Sequence, residues 1–273
     1  MTVPKQNLHT HTVYCDGANT AEEFVVKAIE LGYEGIGFSS HSYQYFSPKY
    51  TMLEEPALQY KAEVNALKEK YRDKLNIFCG LECDMYSTCI TDGYDYLIGS
   101  SHFMRVGDDI FEFDKKAEIF KELLQKYFDG DMMAFNRKYY EDFADLKKHG
   151  NYDIVGHFDL VTRHCETTPF FDEHAKEYQD LALECVHTLS KDFKIFEINS
   201  GIMSYKTRSV PYPAPYIIKE LKTLGCGIVL SSDAHNLWAM DNWYYDETLE
   251  LVKSCGFDEI MLLTNDGFKG VKI

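Results

Sequence analysis

His9-Thr10-His11 closes the first short apolar run of this chain, and Asp16 trails the pair by five residues. The same event recurs along the sequence. His41 follows the second run, Glu82 the third, His102 the fourth and His157 the fifth, and Asp233-Ala234-His235 closes another. These nine side chains offer nitrogen and oxygen donors without thiolate, which suits Zn, Mn or Fe and disfavours a structural zinc–cysteine site. Residues two apart on a strand share a face, so His9 and His11 point the same way, and Asp233 and His235 repeat that spacing far away. A carboxylate ending the run Ile77-Phe78-Cys79-Gly80-Leu81 is costly to bury without a task, and Glu82 is therefore the candidate bridging ligand. Such a donor set exceeds the needs of one or two ions, so three divalent ions are expected. With their carboxylates and one hydroxide they leave a local charge of about +2, which complements a phosphate dianion.

Two arginines fall at the same end of the pattern. Arg163 lies shortly after His157, and Arg208 lies beyond the run ending at Ile198. The chain has only five arginines, so two in this place are expected to serve phosphate oxygens, which a guanidinium fork matches in shape and charge. Arg105 is a third candidate for substrate binding. Asp233, His235, Glu82, Arg163 and Arg208 are the residues expected to carry catalysis. Cys15 adjoins Asp16 but has no partner that would make it a nucleophile.

The elements that must position these groups alternate strand and helix. Strands are expected at 34–38, 76–81, 95–99, 153–156, 194–198, 227–231 and, last, 259–263. Helices are expected near 20–31, 54–71, 172–190, 213–224 and 246–254, the first opened by the capping box Thr20-Ala21-Glu22-Glu23. The stretch 114–149 departs from the alternation and reads as an inserted helical hairpin split at Asp129-Gly130, either a cover for the mouth or an enlarged connection. In parallel βα proteins the strand C-termini open at one face, and all nine donors fall there. His149, His164, His174 and His187 lie outside the pattern.

Bulk properties narrow the classes. The 273 residues suit one domain spanning 1–273, with 45% hydrophobic and 26% charged residues. A formal net charge of −16 argues against nucleic acid as a partner. The eight cysteines form no CxxC and read as reduced thiols; with no signal peptide and no membrane span, the expected location is cytoplasmic. There is no P-loop, no G-x-S-x-G elbow and no H-E-x-x-H.

At these residues the chain resembles the polymerase-and-histidinol-phosphatase (PHP) family along nearly its whole length. The likeness rests on His9-Thr10-His11-Thr12 with Asp16-Gly17, Ser40-His41, Gly80-Leu81-Glu82, Gly99-Ser100-Ser101-His102, Gly156-His157-Phe158-Asp159 and Ser232-Asp233-Ala234-His235. Asn199-Ser200-Gly201, Arg208, Tyr212-Pro213 and Tyr139-Tyr140-Glu141 resemble its phosphatase branch. The resemblance implies a distorted (β/α)7 TIM-like barrel with a trinuclear centre. By similarity His9, His11, Glu82 and Asp233 would hold one ion, Glu82, His102 and His157 the second, and Asp16, His41 and His235 the third. Cys15 stands where the family often has Ser, and Ser40 where it often has Asp; neither change removes a ligand.

The expected chemistry is phosphomonoester hydrolysis by a metal-bridging hydroxide, and by resemblance the substrate is L-histidinol phosphate, a small molecule. The alternatives are a related phosphoesterase acting on a small nucleotide, and a metal-binding module without turnover. An amidohydrolase also opens with H-x-H, but Glu82 and the D-x-H pair fit that group poorly. Oligomeric state is open.

Overall fold

The computed structural model describes residues 3–273. Its strands are β1 (Gln6–Asn7), β2 (Gly35–Phe38), β3 (Asn76–Asp84), β4 (Tyr96–Ser100), β5 (Phe103–Val106), β6 (Asp109–Glu112), β7 (Ile154–Val155), β8 (Ile195–Asn199), β9 (Gly227–Ser231), β10 (Glu259–Thr264) and β11 (Gly267–Lys272). Seven of them form one parallel sheet in the order β1-β2-β3-β4-β7-β8-β9. Helices cover its outer face, which is why the strands read as apolar runs rather than alternating ones. The sheet curls into a nearly closed barrel. At its seam Thr10 bridges Ala234 in parallel, the His11 N–H donates to the Ala234 carbonyl at 2.9 Å, and the Ala234 N–H donates to the His9 carbonyl at 3.2 Å. This is the distorted seven-stranded barrel that the family resemblance implies.

One strand expectation needs correction, and one hairpin is additional. The run at 259–263 does not join the parallel sheet; β10 pairs antiparallel with β11. It is tied to the barrel instead by Gln6, whose side chain donates to the Leu263 carbonyl at 3.0 Å and accepts from the Leu263 N–H at 2.8 Å. The hairpin β5–β6 was not anticipated at all.

Side-chain alternation layers the interior. Phe78, Gly80 and Glu82 share the inward face of β3, as do Tyr96, Ile98 and Ser100 on β4. The lower layer is apolar, built from Leu8, Phe78, Tyr96, Ile98, Ile154 and Val229. The Tyr96 ring fills space that a Cβ at Gly37 or Gly80 would occupy, so both positions require glycine. Its hydroxyl donates to the Leu8 carbonyl. Above this plug the inward face turns polar.

The helical insert comprises Ala117–Phe128 and Met132–Ala144, separated by Asp129 and Gly130 in left-handed conformations (φ 50° and 82°). It does not cover the mouth. The Tyr139 hydroxyl donates to the Phe158 carbonyl at 2.8 Å, and the Tyr140 hydroxyl meets that of Tyr178 at 2.7 Å. The insert therefore braces the segment after β7 from the flank. Among the described residues no helix is long and apolar enough to cross a membrane.

Candidate metal centre and cleft

Glu82 lies within β3 rather than after it, and the other eight donors gather around it, five of them against its carboxylate. Oε2 faces His9 Nε2 at 3.3 Å, His11 Nε2 at 3.5 Å and His41 Nδ1 at 2.9 Å. Oε1 faces His157 Nε2 at 2.9 Å and His102 Nε2 at 3.5 Å. Asp233 Oδ1 lies 3.1 Å from His11 Nε2 and 3.4 Å from His9 Nε2. Asp16 Oδ1 completes the arrangement, 3.4 Å from His235 Nε2 and 3.8 Å from His41 Nε2. Asp233 adopts a left-handed conformation (φ 49°), which aspartate tolerates better than most residues. That turn aims its carboxylate at His9 and His11 while the next residue, Ala234, closes the barrel seam.

Four donor sets emerge with mutual separations that a cation could bridge: His11, Asp16, His41 and His235; His9, Glu82 and His157; His9, His11 and Asp233; and His41, Glu82 and His102. Their chemistry fits metal ions. His9 Nε2, His11 Nε2, Glu82 Oε2 and Asp233 Oδ1 are buried and have no hydrogen-bond partner. Lone pairs converging without a shared proton are unfavourable unless a positive charge stands between them. Burial would raise the Glu82 and Asp233 carboxyls, but the surrounding histidines hold both well below their ordinary range. His11 moves the other way: burial, with His235 and His41 nearby, pushes it down to about 3, so its imidazole is neutral and its lone pair available.

A second buried glutamate supports the first. Glu197, on the inward face of β8, accepts from His9 Nδ1 at 2.5 Å, from Ser231 Oγ at 2.5 Å and from the His157 N–H at 2.7 Å. Asn199 Nδ2 lies 3.3 Å from Glu197 and donates to Asp233 Oδ2 at 3.2 Å. With Nδ1–H committed to Glu197, His9 presents Nε2 as a bare donor. Asp84 plays a similar part, accepting from the His102 N–H at 2.7 Å. Neither acid was singled out from sequence. The signal was available, since Glu197 interrupts the apolar run Ile195-Phe196-Glu197-Ile198 just as Glu82 ends its own.

The cluster floors a cleft. Asp16, His41, His102, Asp233 and His235 line one side. Gln44, Tyr50 and Thr51 from the segment after β2, and Phe103, Glu112, Asp114 and Lys115 from the β5–β6 region, line the other. Arg163 reaches this edge through an ion pair with Asp114. Arg208 is placed differently from expectation. Its side chain is fully buried, its two terminal nitrogens donate to the Glu173 carboxylate at 3.2 and 2.8 Å, and one of them also donates to the Thr162 carbonyl at 2.6 Å. A guanidinium so deep in the fold needs a carboxylate partner, and Glu173 supplies it, joining the segments that follow β7 and β8. Arg105 does not line the cleft either; it is exposed, with its guanidinium 5.2 Å from the centre of the Tyr86 ring. His149, His164, His174 and His187 take no part in the donor sets, and all eight cysteines are free thiols.

The PHP domain family matches residues 7–201. This chain belongs to the PHP family. The matched span stops short of Asp233 and His235, which the barrel seam nevertheless brings to the cluster. Two curated relatives of this PHP chain are histidinol-phosphatases. The one from Bacillus subtilis (strain 168) is 26% identical over 257 residues, covering 85% of this chain and 93% of the relative. The one from Lactococcus lactis subsp. lactis (strain IL1403) is 26% identical over 282 residues, covering 98% and 96%. The solved structure of a histidinol phosphate phosphatase from Lactococcus lactis subsp. lactis, complexed with Zn, L-histidinol and phosphate, superposes with a TM-score of 0.75. At 23% identity it covers 98% of this chain and 100% of its own, and supports the fold described above.

Proposed function

We propose that this PHP chain is a metal-dependent phosphatase that hydrolyses L-histidinol phosphate to L-histidinol and phosphate, a step of histidine biosynthesis. The observation that carries the reading is the convergence of five imidazoles, from His9, His11, His41, His102 and His157, on the two oxygens of one buried carboxylate, Glu82, with Asp16, Asp233 and His235 set among them. The relatives that share the family and most of the chain's length carry the histidinol-phosphatase name.

In this reading His9, His11, Glu82 and Asp233 would hold one divalent ion, Glu82, His102 and His157 a second, and Asp16, His41 and His235 a third. Ions of Zn, Mn or Fe would supply Lewis acidity, lowering the pKa of a water and offsetting charge that builds on phosphate oxygens. The chain's own groups do the rest. Glu197 holds the proton on His9 Nδ1 and keeps Nε2 open. Asp114 holds Arg163 at the cleft edge, where its fork can orient a phosphate. Arg208 contributes by fixing the walls rather than by touching substrate. The apolar plug beneath Glu82 keeps bulk water out of the floor and strengthens every charge interaction above it.

Phosphate release from L-histidinol phosphate, measured before and after chelation and again after metal add-back, tests the proposal. Turnover that disappears with chelator and returns with metal is expected, at a kcat/KM well above that for AMP or an aryl phosphate. Stoichiometric metal binding with no phosphatase activity would overturn it. Preferred turnover of AMP would move the assignment to a small nucleotide.

A further inference from the structure

The metal cluster uses none of the eight thiols, and two of them stand together on the outer side of the barrel. Cys83 follows Glu82 on β3, and strand alternation turns it away from the cluster, into the core outside the sheet, where it is 1% exposed. Beyond the strand the chain doubles back. The Ser87 N–H donates to the Asp84 carbonyl at 2.8 Å, and the Tyr86 N–H to the Asp84 carboxylate at 3.0 Å. That turn lays Cys89 against Cys83, thiol to thiol.

The two differ in what can reach them. Cys83 is sealed in. Cys89 is half-buried and lines a mostly apolar pocket of about 200 Å³ beside the helix Glu54–Tyr71. This pocket shares no lining residue with the metal cleft. Leu58 and Ile90, 65% and 68% exposed, stand at its rim, so it opens to solvent.

The pair is also chemically asymmetric. The Ser87 hydroxyl donates to the Cys89 sulfur at 3.3 Å. The Cys83 thiol, with that hydroxyl, favours the Cys89 thiolate and pulls its pKa down to about 6, although burial opposes them. Cys165, also half-buried but without such donors, is pushed up by burial to about 12. A thiol that ionises at neutral pH, reaches solvent and is backed by a second thiol is disposed to react with peroxides and then to be resolved as a disulfide. With the two sulfurs already facing each other, closing that bond asks little movement of the backbone.

We infer that Cys89 and Cys83 form a redox modification site whose reagent is a hydroperoxide and whose product is a disulfide on the outer face of β3. The Cys89 sulfur attacks a peroxide oxygen, so that an S–O bond forms and the O–O bond breaks. The displaced oxygen takes the thiol proton and leaves as an alcohol or water. Cys89 is oxidised to a sulfenic acid and the peroxide is reduced. The Cys83 sulfur then attacks the Cys89 sulfur; the S–S bond forms, the S–O bond breaks, and hydroxide departs with the Cys83 proton as water. The site stands whether or not the cleft hydrolyses phosphate esters, because none of its readouts is turnover.

Peptide mapping by mass spectrometry tests it, on the full metal-loaded chain treated with a small molar excess of hydrogen peroxide at neutral pH and then alkylated. Two of the eight thiols are expected to disappear into one disulfide joining Cys83 to Cys89, and dithiothreitol should return both. Another pairing, or oxidation spread evenly over the thiols, overturns the inference. Iodoacetamide should label Cys89 of the untreated wild-type protein at least about tenfold faster than Cys165; equal rates also overturn it. In folded Cys83→Ser, which lacks the second thiol, dimedone should capture a sulfenic acid at Cys89, and absence of that adduct would remove the proposed order of attack.

Discussion

Two glutamates lie 1% exposed on the inner face of the same barrel, and their surroundings are opposite. Glu82 faces five imidazoles, accepts no backbone N–H, and keeps one oxygen without a hydrogen bond. Glu197 is bonded on both oxygens, to a ring nitrogen, a hydroxyl and a main-chain N–H. Burial is equal, so burial does not separate their roles. What separates them is saturation: a carboxylate with its hydrogen bonds made is holding something in place, and one with lone pairs left over is waiting for a cation. The same contrast divides the arginines. Both terminal nitrogens of Arg208 are committed to Glu173 and Thr162, with its Nε alone left without a partner, whereas Arg163 is a half-exposed group at the edge of the cleft.

The contrast predicts a ranking of effects. Glu82→Ala should be the most damaging change, removing bound metal and activity together. The fall in zinc affinity, read by competition with a chromogenic chelator, should exceed the roughly 10–100-fold typical of support residues. Near-stoichiometric zinc in a folded Glu82→Ala protein would break the comparison at its centre. Arg208→Ala should act on stability, leaving the partly buried Glu173 without its cation at a cost of about 3 kcal/mol. In a chain of this size that lowers the melting temperature by roughly 10 °C. Restoring metal should not restore the lost stability in full, and an unchanged melting temperature would mean the pair is not a strut. Glu197→Gln should keep the fold and reduce metal affinity by about 10–100-fold, since an amide still accepts from His9 Nδ1 but without charge. A loss as complete as that of Glu82→Ala would merge the two classes. Arg163→Ala should be the mildest, with metal retained and kcat/KM lowered about tenfold, mainly through KM. Loss of metal in that variant would contradict its position outside the cluster.

Much of the floor could be read from the sequence because strand ends in a parallel barrel share one face, and a histidine or acid directly after an apolar run has no reason to be there otherwise. His9, His11, His41, His102, His157 and His235 all follow that logic. Glu197 obeys the same physics inside its apolar run rather than after it, so a pattern of run-closing residues does not reach it. The walls were harder. The hairpin β5–β6 is short, and its turn at Val106-Gly107-Asp108 is a weak local signal. The partner of Arg208 lies 35 residues away along the chain, and no periodicity reveals such a pairing. The insert's helices were legible from their apolar spacing, but whether they roof the mouth or brace a flank depends on tertiary contacts such as that of Tyr139 with the Phe158 carbonyl.

The seam between Thr10 and Ala234 has a consequence for the order of events in the cell. His9 and His11 leave the ribosome well before Asp233, which faces both. The donor sets that include Asp233 or His235 are incomplete until that strand end has been made. Charging of those sets must then follow closure of the seam, so that metal bound there pins together strands far apart in the sequence.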